Sequence, residues 1–158
     1  MKFADVLKDG CYCLSLRSDT KRGVIEEMVD LLAAAGKIRD RDAVLKAVME
    51  RERKMSTGMQ FGVAIPHGKT DSVDRLVSVV ALKKEGIEFG SLDGKPARIF
   101  IMTVSPVSQT GPHMQYLTEI SKVLNSEDVR NRILSAASEE ELLGILTNGH
   151  RRHDTCQD

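Results

Sequence analysis

Three kinds of feature are missing from this 158-residue chain: a cysteine framework, a long apolar run and an excess of either charge. Each absence removes a class of protein. The cysteines are three, Cys11, Cys13 and Cys156, an odd set that makes no disulfide scaffold. Cys11 and Cys13 are two apart on an early strand, so they share a face and read as small buried hydrophobes. Lys plus Arg and Asp plus Glu both total 23, a formal charge of zero that advertises no nucleic-acid partner. No stretch approaches the roughly 20 apolar residues that cross a bilayer, and MKFADVLKDG has no apolar signal core. The expectation is a cytoplasmic protein without direct membrane insertion. Repeats, low-complexity stretches and linkers are also missing. With 41% hydrophobic residues the chain suits one domain with a substantial core, placed at residues 1–148. Residues 149–158 read as a polar, disordered tail. His150, His153 and Cys156 could offer metal ligands there, but no apolar periodicity anchors them, so a frayed terminus is expected and no metal.

What is present is an apolar spacing that switches between strand and helix periods. Residues 11–15 suit a strand. Thr20 caps a helix with Val24, Met28, Leu31 and Leu32 on one face, and Gly36 supplies a left-handed terminator. A second helix starts near Asp40 or Asp42, carries Val44, Ala47 and Val48, and runs out through Glu50, Arg51 and Glu52. Strands are expected at about 61–66, at 77–82 and at 98–104. The last, with Ile99, Phe100, Ile101 and Met102, reads as covered on both faces. Asp93-Gly94-Lys95-Pro96 marks a turn before it and Ser105-Pro106 its end. Thr110-Gly111-Pro112 then opens a helix carrying His113, Leu117, Ile120 and Leu124 inward. Ser126 and Ser138 are further caps, Ser138 with Glu141 as a capping box, and Asn148-Gly149 ends the last helix.

Chemistry concentrates in Ser56-Thr57-Gly58-Met59-Gln60-Phe61-Gly62-Val63-Ala64-Ile65-Pro66-His67-Gly68-Lys69. Pro66 cannot donate to a ladder and Gly68 permits a turn, so His67 is expected at a strand's exit on a rigid lip. Its imidazole, with a reference pKa near ~6.5, offers a lone pair as nucleophile, base or ligand. His113, in a helix's first turn, lies beside unsatisfied N–H groups where phosphate binds well.

Arg51-Glu52, Ser56-Thr57-Gly58, Ala64-Ile65-Pro66-His67-Gly68, Pro106 and His113, in this order, resemble the type-2 enzyme IIA domain of the bacterial phosphoenolpyruvate-dependent phosphotransferase system. That is the fructose and mannitol class, with a regulatory branch of nitrogen-type IIA proteins. The resemblance covers about residues 3–147. It implies a three-layer α/β/α sandwich with a central mixed β-sheet. It also implies that His67 is the phosphoryl acceptor, that His113 orients His67 or stabilises the phosphoryl group as imidazolium or N–H donor, and that Arg51, rather than Arg53, stabilises charge. No cofactor or metal is implied. The donor would be an HPr-type phosphocarrier protein. The onward partner would be a regulated target in the nitrogen branch, or the cysteine of a IIB domain in sugar uptake; the absence of fused IIB or IIC sequence leans towards regulation. A non-phosphorylated binding module is a third reading, against which intact His67 and His113 speak. Met59-Gln60-Phe61 departs from the smaller turn common in the family. With the 105–112 loop, Met59 and Phe61 are expected to form an apolar docking patch.

Overall fold

The structure, a computed structural model, describes residues 2–156, with side chains through Gly149. In chain order it comprises α1 (Phe3–Lys8), β1 (Cys11–Cys13), α2 (Lys21–Ala34), α3 (Arg41–Lys54), β2 (Val63–Ala64), β3 (His67–Lys69), β4 (Val77–Ile87), β5 (Ala97–Ser105), a 3-10 turn (Val107–Gln109), α4 (Thr110–Leu124), α5 (Glu127–Leu134) and α6 (Glu139–Cys156). Among the described residues no helix is long and apolar enough to cross a membrane.

β4 and β5 form the antiparallel centre, with Val79 opposite Met102 and Val80 opposite Ile101. β1 runs parallel to β4, while β2 and β3 both run parallel to β5, giving a mixed five-stranded sheet. Along β5, Ile99 and Ile101 face one core with Tyr116 and Ile120 of α4, whereas Phe100, Met102 and Val104 face another with Val24, Met28, Val44 and Val48. Helices α2 and α3 therefore cover one face, and α1, α4, α5 and α6 the other. This is the expected sandwich, and it explains the unbroken apolar run of β5: a strand buried on both sides has no polar face to alternate with.

The caps follow the sequence. Thr20 Oγ1 accepts the Gly23 N–H at 3.0 Å, and Asp40 Oδ1 the Ala43 N–H at 3.1 Å. At the end of α2, Gly36 has φ 70°, its N–H donates to the Ala33 carbonyl, and Lys37 N–H to that of Leu32, the paired bonds of a Schellman motif. Ser138 Oγ accepts the Glu141 N–H at 3.1 Å, but the Glu141 carboxylate returns to Ala137 N–H rather than to Ser138, a box displaced by one residue.

Three expectations need correction. The strand expected over 61–66 shrinks to Val63–Ala64, because Phe61 and Gly62 take φ 64° and 76°, the signs of a type I′ turn, and Pro66 has no N–H for a ladder. His67 consequently opens β3 instead of closing the strand before it. Asn148-Gly149 does not end the last helix, which continues to Cys156. A Cβ on Gly149 would lie 3.0 Å from Val123 Cγ1, so its glycine serves close packing of α6 on α4. The side chains of His150, His153 and Cys156, and the last two residues of the expected tail, lie outside the described residues.

Candidate functional site

Gly68 sets the geometry. A Cβ there would meet the backbone of α3, 3.0 Å from Val48 N and 3.1 Å from Ala47 C, so only glycine lets β3 lie directly on that helix. One turn further along α3 is Arg51, which thereby reaches the same cleft as His67. On the other side, β5 hands the chain through Ser105, Pro106 and the 3-10 turn into α4, whose fourth residue is His113. The His67 and His113 rings lie 5.6 Å apart, nearly perpendicular at 78°. All three sequence-expected residues thus come together. A cleft of about 490 Å³ is lined by Arg51, Lys54, His67, Lys69 and His113, with Met114 at its rim. Arg53 is exposed and does not line it.

His67 is half-buried, and its Nδ1 lies 2.8 Å from the Ile65 carbonyl. A carbonyl only accepts, so Nδ1 carries the proton and Nε2 keeps its lone pair. Burial lowers the His67 pKa below its ordinary 6.5; the Ile65 carbonyl and Glu52 pull it upward, and the Arg51 and Lys69 charges push it further down. The ring is neutral at pH 7.

His113 is 1% exposed, and burial, helped by the charges of His67 and Lys69, brings its pKa down to about 4. Of the two expected forms, imidazolium and neutral N–H donor, the neutral one prevails near pH 7. Ser105 Oγ stands 2.6 Å from His113 Nδ1, and with that hydroxyl donating, Nε2 bears the ring proton. Nε2 has no hydrogen-bond partner among the described residues, although a buried polar atom ordinarily finds one. In that tautomer Nε2–H is a donor available to a ligand atom.

Arg51 Nη1 donates to the Met55 carbonyl at 2.7 Å, which anchors the guanidinium at the end of α3 and leaves its remaining N–H groups without a hydrogen bond among the described residues. Two contributors were not singled out from the sequence. Lys69 lines the cleft and donates to Thr110 Oγ1 at 3.0 Å, adding a charge where α4 begins without a side-chain cap. Ser105 fixes the ring of His113. A lysine in a Gly-Lys pair and a serine at a strand end are ordinarily solvated or terminal residues, so only their placement distinguishes them.

Beside His67 the cleft opens along Ile65, Ser121 and Asn125 into an apolar pocket of about 210 Å³ lined by Met59, Phe61, Val63, Leu92 and Leu124. Phe61 is 53% exposed, its N–H donates to Asp93 Oδ2 at 3.1 Å, and the Arg130 guanidinium stacks 4.3 Å from its ring. Val107 and Met114 are also exposed near α4's start.

A family model described as phosphoenolpyruvate-dependent sugar phosphotransferase system, EIIA 2, matches residues 5–149. The chain is 42% identical over 127 residues to the fructose-specific EIIA component of Haloferax volcanii, covering 80% of this chain and 82% of that one. Among solved structures it resembles the nitrogen regulatory protein IIA-Ntr of Neisseria meningitidis, with TM-score 0.81 and 26% identity over 90% of this chain and 97% of the other. It also resembles the Escherichia coli complex of enzyme IIA mannitol with phosphorylated enzyme IIB mannitol, with TM-score 0.74 and 25% identity over 87% of this chain and 94% of the matched chain.

Proposed function

Since the chain belongs to the phosphoenolpyruvate-dependent sugar phosphotransferase system EIIA 2 family, a family of phosphocarriers, we propose that His67 is its phosphoryl acceptor and that the protein takes the group from an HPr-type phosphohistidine as a nitrogen-type regulatory IIA. The observation that carries this is the pair of neutral imidazoles 5.6 Å apart, one with a free lone pair and the other with a buried, unpartnered Nε2.

In the transfer, the donor's N–P bond breaks as a bond forms between phosphorus and His67 Nε2. The donor imidazole recovers its lone pair, and the His67 ring keeps its proton on Nδ1, hydrogen-bonded to the Ile65 carbonyl. Charge spreads over three phosphoryl oxygens in a loose transition state, so positioning and electrostatics supply most of the catalysis. His113 Nε2–H donates to one oxygen, while Arg51 and Lys69 supply positive charge to the others. A neutral donor at 113 suits a carrier: an imidazolium would hold the group more tightly and retard its release. The apolar pocket reaching Phe61 supports docking that excludes water while two imidazoles meet.

In the regulatory reading the loaded and unloaded states differ in charge at one exposed cleft, and a target protein reads that difference. The uptake reading uses the same atoms and passes the group to a cysteine thiolate of a IIB domain, the N–P bond giving way to S–P; the 42% identical fructose-specific relative keeps it as the second reading.

Incubation with phosphorylated HPr or its nitrogen-branch paralogue, followed by acid-lability analysis and phosphorus NMR, tests the proposal. We expect one acid-labile phosphoryl group on His67 Nε2 and none after His67→Ala. Labelling of the alanine variant to the native level would overturn it. Faster loading from the paralogue selects regulation, and faster loading from HPr, with onward transfer to a IIB domain, selects uptake.

A further inference from the structure

We propose that Glu52 is a positioning residue for phosphoryl transfer: its buried carboxylate, acting through Thr57 and Ile65, holds the His67 ring with Nδ1 protonated and Nε2 presented to the donor. The proposal rests on the reading of His67 as acceptor.

Glu52 occupies the last turn of α3, where the helix dipole disfavours a negative charge, and it is 5% exposed. A carboxylate so placed is strongly unfavourable unless it is fully compensated. The compensation is specific. Glu52 accepts the Thr57 N–H at 2.9 Å and the Thr57 hydroxyl at 2.6 Å, and it pairs with Lys21 Nζ at 2.7 Å. Lys21 is itself held, donating to the Phe89 carbonyl at 3.1 Å with its ammonium 4.6 Å from the Phe89 ring. The start of α2, the end of α3 and the turn after β4 are thus fastened at one charge.

From there the connection to chemistry is a short series of hydrogen bonds. With its N–H and hydroxyl both committed to Glu52, Thr57 has its carbonyl fixed, and that carbonyl accepts the Ile65 N–H at 3.1 Å. The Ile65 carbonyl then takes His67 Nδ1 at 2.8 Å. Ile65 precedes Pro66, which has no N–H, so this peptide cannot be steadied by a neighbouring ladder bond from that proline. Thr57 supplies the missing hold, and Glu52 holds Thr57.

The test uses the full chain labelled with ¹⁵N-histidine, comparing the native protein with Glu52→Gln and with Thr57→Val. Ring nitrogen shifts report the His67 tautomer without any phosphorylation, and transfer from phosphorylated HPr gives kcat and KM separately. We expect a single Nδ1–H tautomer in the native chain and a mixture of tautomers in Glu52→Gln. The kcat should fall about tenfold with KM changed by no more than about twofold. Thr57→Val, which keeps the Thr57 N–H but removes the hydroxyl, should shift both readouts the same way by less; it decides the question if Glu52→Gln fails to fold. A lower melting temperature with tautomer and kcat unchanged would reduce Glu52 to a structural anchor and overturn the proposal. Should the native chain take no phosphoryl group at all, the acceptor reading fails, while the tautomer comparison still decides the part assigned to Glu52.

Discussion

His113 shows how burial assigns a role that residue type leaves open. An imidazole near its ordinary pKa would be partly charged at neutral pH; enclosed at 1% exposure and facing Lys69 and His67, this one is neutral until about pH 4. In the unfolded chain it titrates near 6.5, so as pH falls from 6.5 towards 4 the unfolded state binds a proton that the folded state refuses. Folding stability should therefore drop across that window, by about 3 kcal/mol from this residue alone. His113→Asn should flatten that part of the pH profile in urea melts. It should also slow transfer on the order of a hundredfold, as expected for loss of a buried transition-state donor. An unchanged transfer rate would remove His113 from the chemistry. The meeting of His67 and His113 in one cleft was legible only from their joint occurrence with Arg51 at these separations, since a Pro-His-Gly or a first-turn histidine alone is a weak signal. The protonation state of His113 was not, since nothing in the sequence says that Ser105 would meet Nδ1 and leave Nε2 unpartnered.

Between residues and the whole lie the packed elements. The pairing of β3 with α3 depends on Gly68, where a methyl group would press on the Ala47 and Val48 backbone. Gly68→Ala should cost about 1–3 kcal/mol of stability in denaturant titrations, because helix backbone cannot yield as a side chain would. It should also lower transfer by moving His67 away from Arg51; a stable variant with full activity would mean that the close approach is dispensable. Helix boundaries were legible at Thr20, Gly36, Asp40 and Ser126 because caps and terminators act locally. α1 was missed: Phe3, Val6 and Leu7 span too few residues for helical periodicity to declare itself, and only packing on the sheet completes it. The late start of the 61–66 strand, at Val63, was missed because a phenylalanine at φ 64° contradicts residue preference. Tertiary contacts with Asp93 and Arg130 override that preference.

At the scale of the molecule, the three layers could be anticipated from β5, whose apolar run required cover on both faces. The apolar patch beside the cleft was anticipated only in part. Met59, Phe61 and Val107 lie where expected, but Leu92 arrives from the β4–β5 connection and was not foreseen, since an apolar residue beside Asp93-Gly94 carries no signal of its own. Phe61→Ala should leave stability within about 0.5 kcal/mol, as for most exposed sites, while raising KM for phosphorylated HPr with little change in kcat. An unaltered KM would show that donors dock elsewhere. The two imidazoles hang from adjacent slabs of the sandwich, His67 on a strand of the central sheet seated against α3 and His113 on α4, which covers the opposite face of that sheet. Their spacing is thus a gauge of how the slabs are seated, so a substitution deep in either one, far from any reacting atom, will register as a change in how readily the carrier loads and unloads.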